Sequence, residues 1–334
     1  MINHPRPNQS MLLPFRIILV LLVSAACAAS ASAQRPREIW ERYKIAFVGD
    51  NPANPLLGPA QTGAREAAKI LDHQHNLEVT LVSFIPRDAT GQAQVDALNE
   101  AFLEGVDGVI LNVNDPALAG KQIDFLASQG IPTVTIENDA PASKRIATVM
   151  TDQAVLGELA FLQLLKHLPA RGKKVIVLTS PDAEIDARLR ALQQAAAGND
   201  RVVLSVQSSA PTFDGGQRII REEMENDRDD EIDGWIFLGP WPLLGVAQLP
   251  WTPDEQTCIA VDALPPMLPY LANGKVDAFI AQEYFLWGKL AMETLIAQIH
   301  LEEEPATETI LTGAEVITQD DLAEYSRLWA EWMQ

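Results

Sequence analysis

Cysteine is scarce in this sequence, and the two that occur cannot support a disulfide-based fold. Cys27 lies in an apolar N-terminal stretch, and Cys258 lies in the short apolar run CIAV. If the N-terminal stretch is cleaved off, Cys258 stands alone and no intrachain disulfide is possible. We expect Cys258 to be a small buried residue. The chain has 334 residues, which suffice for one large or two ordinary domains.

Basic residues are outnumbered by acidic ones, and this imbalance restricts the possible partners. The sequence has 25 Lys and Arg against 45 Asp and Glu, a formal net charge of −20. A surface this acidic repels phosphate backbones and anionic lipids. We therefore expect no nucleic-acid partner.

The usual sequence motifs of cofactor binding and covalent catalysis are missing. No G-x-G-x-x-G follows a predicted strand, and neither G-x-x-x-x-G-K-[ST] nor G-x-S-x-G occurs. Of the five histidines, His73 and His75 lie in the polar sequence DHQHN, with no further metal ligands at a useful spacing. No nucleophile is paired with a base. The sequence thus predicts no cofactor, no metal site and no enzymatic activity.

The N-terminus has the organisation of a signal peptide. Arg16 precedes an apolar run over residues 17–27, and small residues lead to a cleavage signal that ends at Ala33. The apolar run is shorter than the roughly 20 residues that span a bilayer. Residues 1–33 are therefore interpreted as a cleaved signal peptide, and the periplasm as the destination. Lipid attachment at Cys27 is the less favoured alternative, because Ser24 stands where a lipoprotein signal usually has Leu.

After this leader, short apolar strands alternate with helices. Residues 45–48 form an apolar run, residues 51–55 form a loop with two prolines, and residues 58–71 have apolar side chains at helical spacing. Strand, loop and helix in this order make the first half of a βαβ unit. Further strands are predicted at 77–84, 107–113, 131–136 and 146–150, with helices at 91–103 and 117–128.

The same pattern restarts in the second half, beginning with a strongly apolar helix over residues 155–168. Residues 106–111 and 232–237 match in kind, and each segment follows two strand–helix units. The sequence therefore predicts an α/β fold of two Rossmann-like lobes with parallel sheets, divided near Thr151. Later strands are predicted at 174–178, 202–206, 232–238, 258–261, 277–281 and 315–318, with helices at 185–197, 215–224, 283–300 and 322–333; Asp214 is interpreted as a helix cap.

Polar and aromatic residues follow several of the predicted strands. Ligands of open parallel sheets bind at the carboxyl ends of the strands, so these residues are candidates for a binding site. Asp262 and Gln282 are notable because each directly follows an apolar strand. The other candidates are Asn54, Glu137, Asn138, Arg188, Phe213 and Trp241.

Several motifs, taken in order, resemble the type I periplasmic binding proteins of the ribose/galactose class. They are NPLL at residues 54–57, GIPTVTIE at 130–137, TDQAVLG at 151–157, and VDA at 261–263 followed by NGKVDAFIAQ at 273–282. The resemblance extends from Tyr43 to about Thr318. It implies two lobes joined by three crossovers, a three-strand hinge, and closure on a small ligand that an ABC transporter then imports. The lobes would comprise residues 43–151 with 283–312, and 152–282 with 313–334.

The resemblance also implies which residues contact the ligand. Asn54, Glu137, Arg188, Phe213, Asp262 and Gln282 occupy the positions that contact a sugar in that family. Carboxylate, guanidinium and amide groups can pair with sugar hydroxyls, and aromatic rings can cover the C–H faces. Leu57 stands where ribose-type members have an aromatic ring, and Asn138 replaces an expected arginine. The asparagine expected after residues 232–237 is replaced by the sequence Gly239-Pro240-Trp241. These departures indicate a ligand other than ribose, with a pentose, hexose or related polyol as the first choice.

Two functional alternatives to transport remain open at this point. The same fold can deliver its ligand to a membrane receptor or histidine kinase instead of an ABC permease. An enzyme is much less favoured, because polar pocket residues alone do not define a reaction. A cytoplasmic repressor is disfavoured because it would need a basic headpiece instead of a signal peptide. We expect a monomer, and we expect Asp262→Ala to abolish binding with the fold intact.

Overall fold

The computed structural model of the protein describes residues 39–171, 173–245 and 249–333. The expected signal peptide and the alternative lipid site at Cys27 lie outside these residues. Within the described part of the chain, no helix combines the length and apolar character needed to cross a membrane.

The first half of the chain alternates strands and helices. They are β1 (Glu41–Val48), α1 (Leu57–His75), β2 (Leu77–Phe84), α2 (Gly91–Leu103), β3 (Gly108–Leu111), α3 (Pro116–Ser128), β4 (Thr133–Ile136) and β5 (Ala147–Thr151). The strands β3 and β4 are buried at every position, as expected for parallel strands covered by helices on both faces.

The second half repeats the alternation and then adds two short strands and a last helix. Its elements are α4 (Gln153–His167), β6 (Lys174–Thr179), α5 (Ala183–Ala196), β7 (Val203–Ser208), α6 (Phe213–Asn226), β8 (Ile232–Phe237), β9 (Thr257–Val261), α7 (Leu268–Ala272), β10 (Ala278–Gln282), α8 (Tyr284–His300), β11 (Thr309–Thr312), β12 (Ala314–Ile317) and α9 (Leu322–Trp332).

The strands form two sheets of six. The first has the order β11-β5-β4-β3-β1-β2 and is parallel throughout; the second has the order β12-β10-β9-β8-β6-β7, with β12 alone antiparallel to its neighbour. Two α/β lobes with mostly parallel sheets confirm the fold class expected from the sequence.

The chain passes between the two sheets three times: from β5 into α4, from β10 into α8, and from β11 into β12. The helix α4 packs against β8, β9 and β10 of the second sheet, whereas α8 packs against α1 and against β3, β4 and β5 of the first. On this basis we propose the lobe boundaries expected from the sequence, residues 43–151 with 283–312 and residues 152–282 with 313–334.

In two pairs of packed helices, a glycine allows the backbones of the two helices to come into contact. A Cβ atom on Gly288 of α8 would lie 1.7 Å from the carbonyl oxygen of Ala60 in α1, and one on Gly157 of α4 would lie 2.0 Å from that of Arg188 in α5. Any larger side chain would have to separate the helices. The contact of α4 with α5 therefore also determines where Arg188 lies.

The last helix, α9, contacts elements of both lobes. It packs against α1 and against α7. The hydroxyl of Thr62 in α1 donates to the backbone oxygen of Trp332 at 2.8 Å, and the Trp329 ring lies 5.8 Å from the ring of Tyr284, centroid to centroid. Because Tyr284 begins α8 immediately after a crossover, α9 lies against the connection between the lobes.

Three local expectations need correction. The strand β11 was not predicted, because its four residues follow an acidic loop and carry no clear apolar alternation. The strand β1 begins at Glu41, four residues before the predicted apolar run. Thr212, not Asp214, caps α6, since the Thr212 hydroxyl accepts from the backbone N–H of Gly215 at 3.2 Å. Cys258 is fully buried, as expected, and this burial raises the pKa of its thiol.

Candidate functional site

A cavity of about 260 Å³ lies at the carboxyl ends of the strands, with residues of both lobes in its lining. Glu137, which follows β4, and Leu56 reach it from the first lobe. Thr151 and Trp287 reach it from two of the crossovers. The second lobe provides the remaining lining residues: Gln153, Ser180, Asp182, Glu184, Ile185, Arg188, Pro211, Pro240, Trp241, Asp262, Leu264 and Gln282.

Glu137 is held in place by its backbone and by two asparagines. Its φ angle is +60°, a left-handed conformation, and its backbone N–H donates to the carbonyl of Val149 at 3.0 Å. Its carboxylate accepts from the side-chain amides of Asn112 at 2.5 Å and Asn54 at 3.4 Å. Asn112 directly follows β3, so the ends of two neighbouring strands meet at this carboxylate.

The surroundings of Glu137 favour its protonated form. Burial raises the pKa of this carboxyl group to about 8, against a partial opposing effect of the Asn112 hydrogen bond. The carboxylates of Asp50, Glu184 and Asp262 make smaller contributions to this rise of the pKa. At neutral pH and without a ligand, Glu137 therefore carries a proton for most of the time.

We expect Glu137→Gln to remove a pH dependence of stability. A carboxyl group whose pKa rises from 4.5 to about 8 on folding stabilises the folded state below pH 4.5, and this contribution is lost as the pH rises towards 8. Glutamine stays neutral, so the variant should become the more stable protein across that window, by ~1–3 kcal/mol once solvent access from the cavity is allowed for. Melting temperatures of both proteins from pH 4 to pH 9 measure this difference.

The control for that comparison is Glu303→Gln, which removes one negative charge at an exposed position outside the cavity. It should leave the pH profile of the melting temperature unchanged. Parallel profiles for the wild-type protein and Glu137→Gln would contradict the proposed protonation of Glu137.

Asp262 connects the cavity to a crossover. It follows β9 with a φ angle of +73°, and its backbone N–H donates to the carbonyl of Ile280 at 2.9 Å. Its Oδ1 accepts from Gln282 Nε2 at 2.7 Å and from the Tyr284 hydroxyl at 2.9 Å. Gln282 ends β10 and Tyr284 begins α8, so Asp262 fixes both sides of this crossover while itself facing the cavity.

Arg188 is held by partners on three elements. Its Nε donates to the Gln153 side chain at 2.7 Å, and Nη1 donates to the backbone oxygen of Leu238 at 2.8 Å. Its Nη2 lies 4.0 Å from the carboxylate of Glu184, one helical turn earlier in α5. Burial raises the pKa of Glu184, Arg188 opposes that rise, and the carboxylates of Asp182 and Asp262 add to it.

Two indole rings complete the lining. Trp241 Nε1 donates to the hydroxyl of Ser209 at 3.1 Å, and Trp287 Nε1 donates to the hydroxyl of Thr151 at 3.2 Å. With their N–H groups satisfied by the protein, both rings offer apolar surface to whatever occupies the cavity.

Five of the nine residues proposed from the sequence line this cavity, and four do not. Asn54 supports Glu137 through its hydrogen bond without lining the cavity, and Asn138 donates to the Asn112 side chain at 3.4 Å. Leu57 is buried at the start of α1, and its neighbour Leu56 lines the cavity instead. Phe213 begins α6, and its ring lies against Gly245, where an added Cβ would come within 2.6 Å of it.

The cavity also includes residues that the sequence did not single out. Ser180 directly follows β6, so the rule that located Asp262 and Gln282 would have found it. Glu184 lies one turn before Arg188, a spacing that brings the two side chains together. Trp287 had no such signal, because an indole in a long apolar helix is normally a core residue.

The fold is shared with several solved proteins. An ABC transporter solute-binding protein from Burkholderia graminis C4D1M, in complex with D-arabinose, is 22% identical, with a TM-score of 0.68 over 85% of this chain and 97% of that one. AraP, an arabinose binding protein from Geobacillus stearothermophilus, is 20% identical, with a TM-score of 0.74 over 85% and 99%. A mutant XylFII–LytSN complex contains a chain 23% identical, with a TM-score of 0.68 over 85% and 100%.

No curated protein gives a significant match to this chain. The family model described as a periplasmic binding protein domain matches residues 45–303, which contain the second half of β1, all of β2 to β10 and all of α1 to α8. The chain therefore belongs to the family of periplasmic binding protein domains.

Proposed function

We propose that this protein captures a small polar ligand, a sugar in the first instance, in the periplasm and delivers it to an ABC-type importer in the membrane. The proposal rests on the composition of the cavity. Carboxylate, guanidinium, amide and indole groups from both lobes converge on one small space between the carboxyl ends of two parallel sheets.

The size and chemistry of the cavity suit a monosaccharide or a related polyol. Its volume of about 260 Å³ lies just below the ~300–1,000 Å³ common for drug-sized ligands. Hydroxyl groups both donate and accept, so they can pair with Asp262, Gln282 and Glu137. The apolar faces of Trp241 and Trp287 can cover the C–H surface of a sugar ring. Solved relatives in complex with D-arabinose and with α-D-tagatopyranose support this ligand class.

The mechanism is reversible binding by lobe closure. Glu137 belongs to the first lobe, Asp262 and Arg188 belong to the second, and Gln282 ends a strand at a crossover. A ligand that contacts both lobes stabilises the closed arrangement by the difference between its affinities for the closed and open forms. The cavity lining contains no histidine, cysteine or lysine among the described residues, so we propose that the ligand leaves chemically unchanged.

The test is a thermal-shift screen of the protein against monosaccharides, polyols, amino acids and small carboxylates. A ligand at about 100 times its dissociation constant adds about 2.7 kcal/mol, which raises the melting temperature by several degrees. A shift with one sugar supports the proposal. A shift with an amino acid or carboxylate alone would overturn the sugar class, and no shift with any compound would contradict solute capture in the cavity.

A sensor is the second candidate, and the relative solved as a XylFII–LytSN complex favours it. Ligand capture would be the same, but the closed form would bind a receptor in the membrane. Uptake of a labelled ligand by cells with and without the gene separates the two. Loss of uptake supports import, whereas normal uptake with loss of a transcriptional response supports sensing. Sedimentation of the purified protein tests the proposed monomer.

A further inference from the structure

The charge of the cavity restricts its ligand more narrowly than its size does. Four carboxylates line it, and Arg188 is the one basic side chain among the described lining residues. Asp182 caps α5 by accepting from two backbone N–H groups, so its carboxylate lies at the helix N-terminus, where the helix dipole stabilises a negative charge. The carboxylates left to face a ligand are those of Glu137, Glu184 and Asp262.

Arg188 does not neutralise all three of these groups. Its Nε and Nη1 atoms donate to Gln153 and to the backbone of Leu238, and its Nη2 lies 4.0 Å from Glu184 alone. Asp262 accepts from two neutral donors, Gln282 and Tyr284. Hydrogen bonds from neutral groups solvate a buried carboxylate but leave its charge uncompensated.

The carboxylates of the cavity therefore repel one another. After burial itself and the Asn112 hydrogen bond, the carboxylates of Asp50, Glu184 and Asp262 contribute to the raised pKa of Glu137. Burial raises the pKa of Glu184, with Asp262 among the contributors. A positive charge placed among these groups would remove the repulsion, whereas a neutral hydroxyl would not.

A second, independent feature indicates where a polar ligand group would lie. Ser180 lines the same cavity at 1% exposure, and its hydroxyl has no hydrogen-bond partner within the described part of the chain. A buried hydroxyl without a partner costs free energy, so it marks a place where a ligand atom completes the bonding. Ser180 begins the connection from β6 to α5, and Glu184 is the second residue of α5, so the two are close in sequence.

We propose that the cavity selects a polyol that carries a protonated amine, such as an amino sugar, with the ammonium group among Glu137, Glu184 and Asp262 and a ligand hydroxyl on Ser180. This inference rests on the proposed function and specifies its ligand class. An ammonium group offers three donors and one positive charge, which match acceptor-only carboxylates. The remaining hydroxyls and the C–H face use Gln282 and the two indole rings, as for a neutral sugar.

Binding of such a cation should change the protonation of Glu137. A positive charge beside Glu137 favours its ionised form, so the carboxyl group releases its proton to solvent when the ligand binds near neutral pH. The groups that face Glu137 before binding are Asn54, Asn112, Asp50, Glu184 and Asp262. A neutral sugar would leave this proton largely in place.

The experiment compares matched pairs by isothermal titration: D-glucosamine with D-glucose, D-galactosamine with D-galactose, and D-mannosamine with D-mannose. In at least one of these pairs, the amine should bind at least tenfold more tightly than its hydroxyl parent. The measured heat should also change with the ionisation enthalpy of the buffer for the amine alone. N-Acetylglucosamine, which carries nitrogen without charge, should not share the advantage.

The variant Glu184→Gln should reduce the preference for the amine to less than threefold, and Glu303→Gln should leave it unchanged; the melting temperature of each variant shows that it folds. If sugars bind but no amine binds tenfold more tightly than its neutral parent, or if the preference survives in Glu184→Gln, the inference is overturned and the proposed function stands. If neither amines nor neutral sugars nor any compound of the screen binds, the proposed function fails with it.

Discussion

Asp262→Asn is expected to weaken ligand binding at least 100-fold with little change in melting temperature. Asparagine keeps an oxygen that can accept from Gln282 and Tyr284, and it tolerates the positive φ angle at this position. It lacks the negative charge, and hydrogen bonds to charged groups are worth about 1.5–3 kcal/mol each. A loss of about 2.8 kcal/mol corresponds to the expected factor. Isothermal titration and thermal unfolding measure the two effects.

Asp262→Ala provides the comparison, and here the structure changes the expectation drawn from the sequence. Alanine would leave the side chains of Gln282 and Tyr284 without their acceptor in a buried site, at a cost of roughly 1–3 kcal/mol. A left-handed φ angle adds about 1–2 kcal/mol of strain for alanine. The alanine variant should therefore lose stability as well as binding. Affinity within threefold of wild type in Asp262→Asn would exclude this carboxylate from the ligand contacts.

Gly157→Ala is expected to lower the stability of the protein by forcing two packed helices apart. The added Cβ would lie 2.0 Å from the carbonyl oxygen of Arg188 and 3.0 Å from the backbone nitrogen of Leu192. Both are main-chain atoms, so α5 has to move away from α4, and such overpacking costs about 1–3 kcal/mol or more. The melting temperature should fall by several degrees. Ligand affinity should fall too, because α5 positions Arg188 and Glu184.

Gly120→Ala is the matched control within a helix. In α3, the nearest atom to an added Cβ is the Cβ of Ser143 at 3.6 Å, an ordinary contact. Alanine there should leave binding unchanged and raise stability by up to about 1 kcal/mol through its lower conformational freedom in the unfolded chain. Equal melting temperatures for Gly157→Ala and Gly120→Ala would contradict the close backbone approach of α4 and α5.

Most of the secondary structure was predictable because its signals are local. Buried strands such as β3 and β4 are short apolar runs between polar loops, and α2 is bounded by breaks that lie next to it in sequence. The strand β11 escaped prediction because it has no such signal. Its four residues are ordered by pairing with β5, from Thr309 beside Thr148 to Thr312 beside Thr151, and that neighbour lies far away in sequence.

The same distinction applies to the candidate site, where some residues could be predicted from their local sequence and others could not. Glu137, Asp262 and Gln282 could be proposed from position alone, because a residue directly after a buried parallel strand must emerge at the carboxyl edge of the sheet. The choice between Leu56 and Leu57 could not be made in this way. Both are apolar neighbours near the start of α1, and the direction of the helix decides that Leu56 faces the cavity.

Local patterns in the sequence were enough to place most strands and helices in order and to locate the strand-end carboxylates, and the repetition of the pattern indicated two lobes. Only the folded protein shows that Phe213 lies against Gly245, that Trp287 reaches the cavity from a crossover, and that Ser180 and Glu184 join the lining. These contacts depend on helix packing and on crossovers between two sheets. No local pattern encodes them, because a side chain's neighbours across a cavity come from segments that are far apart in sequence.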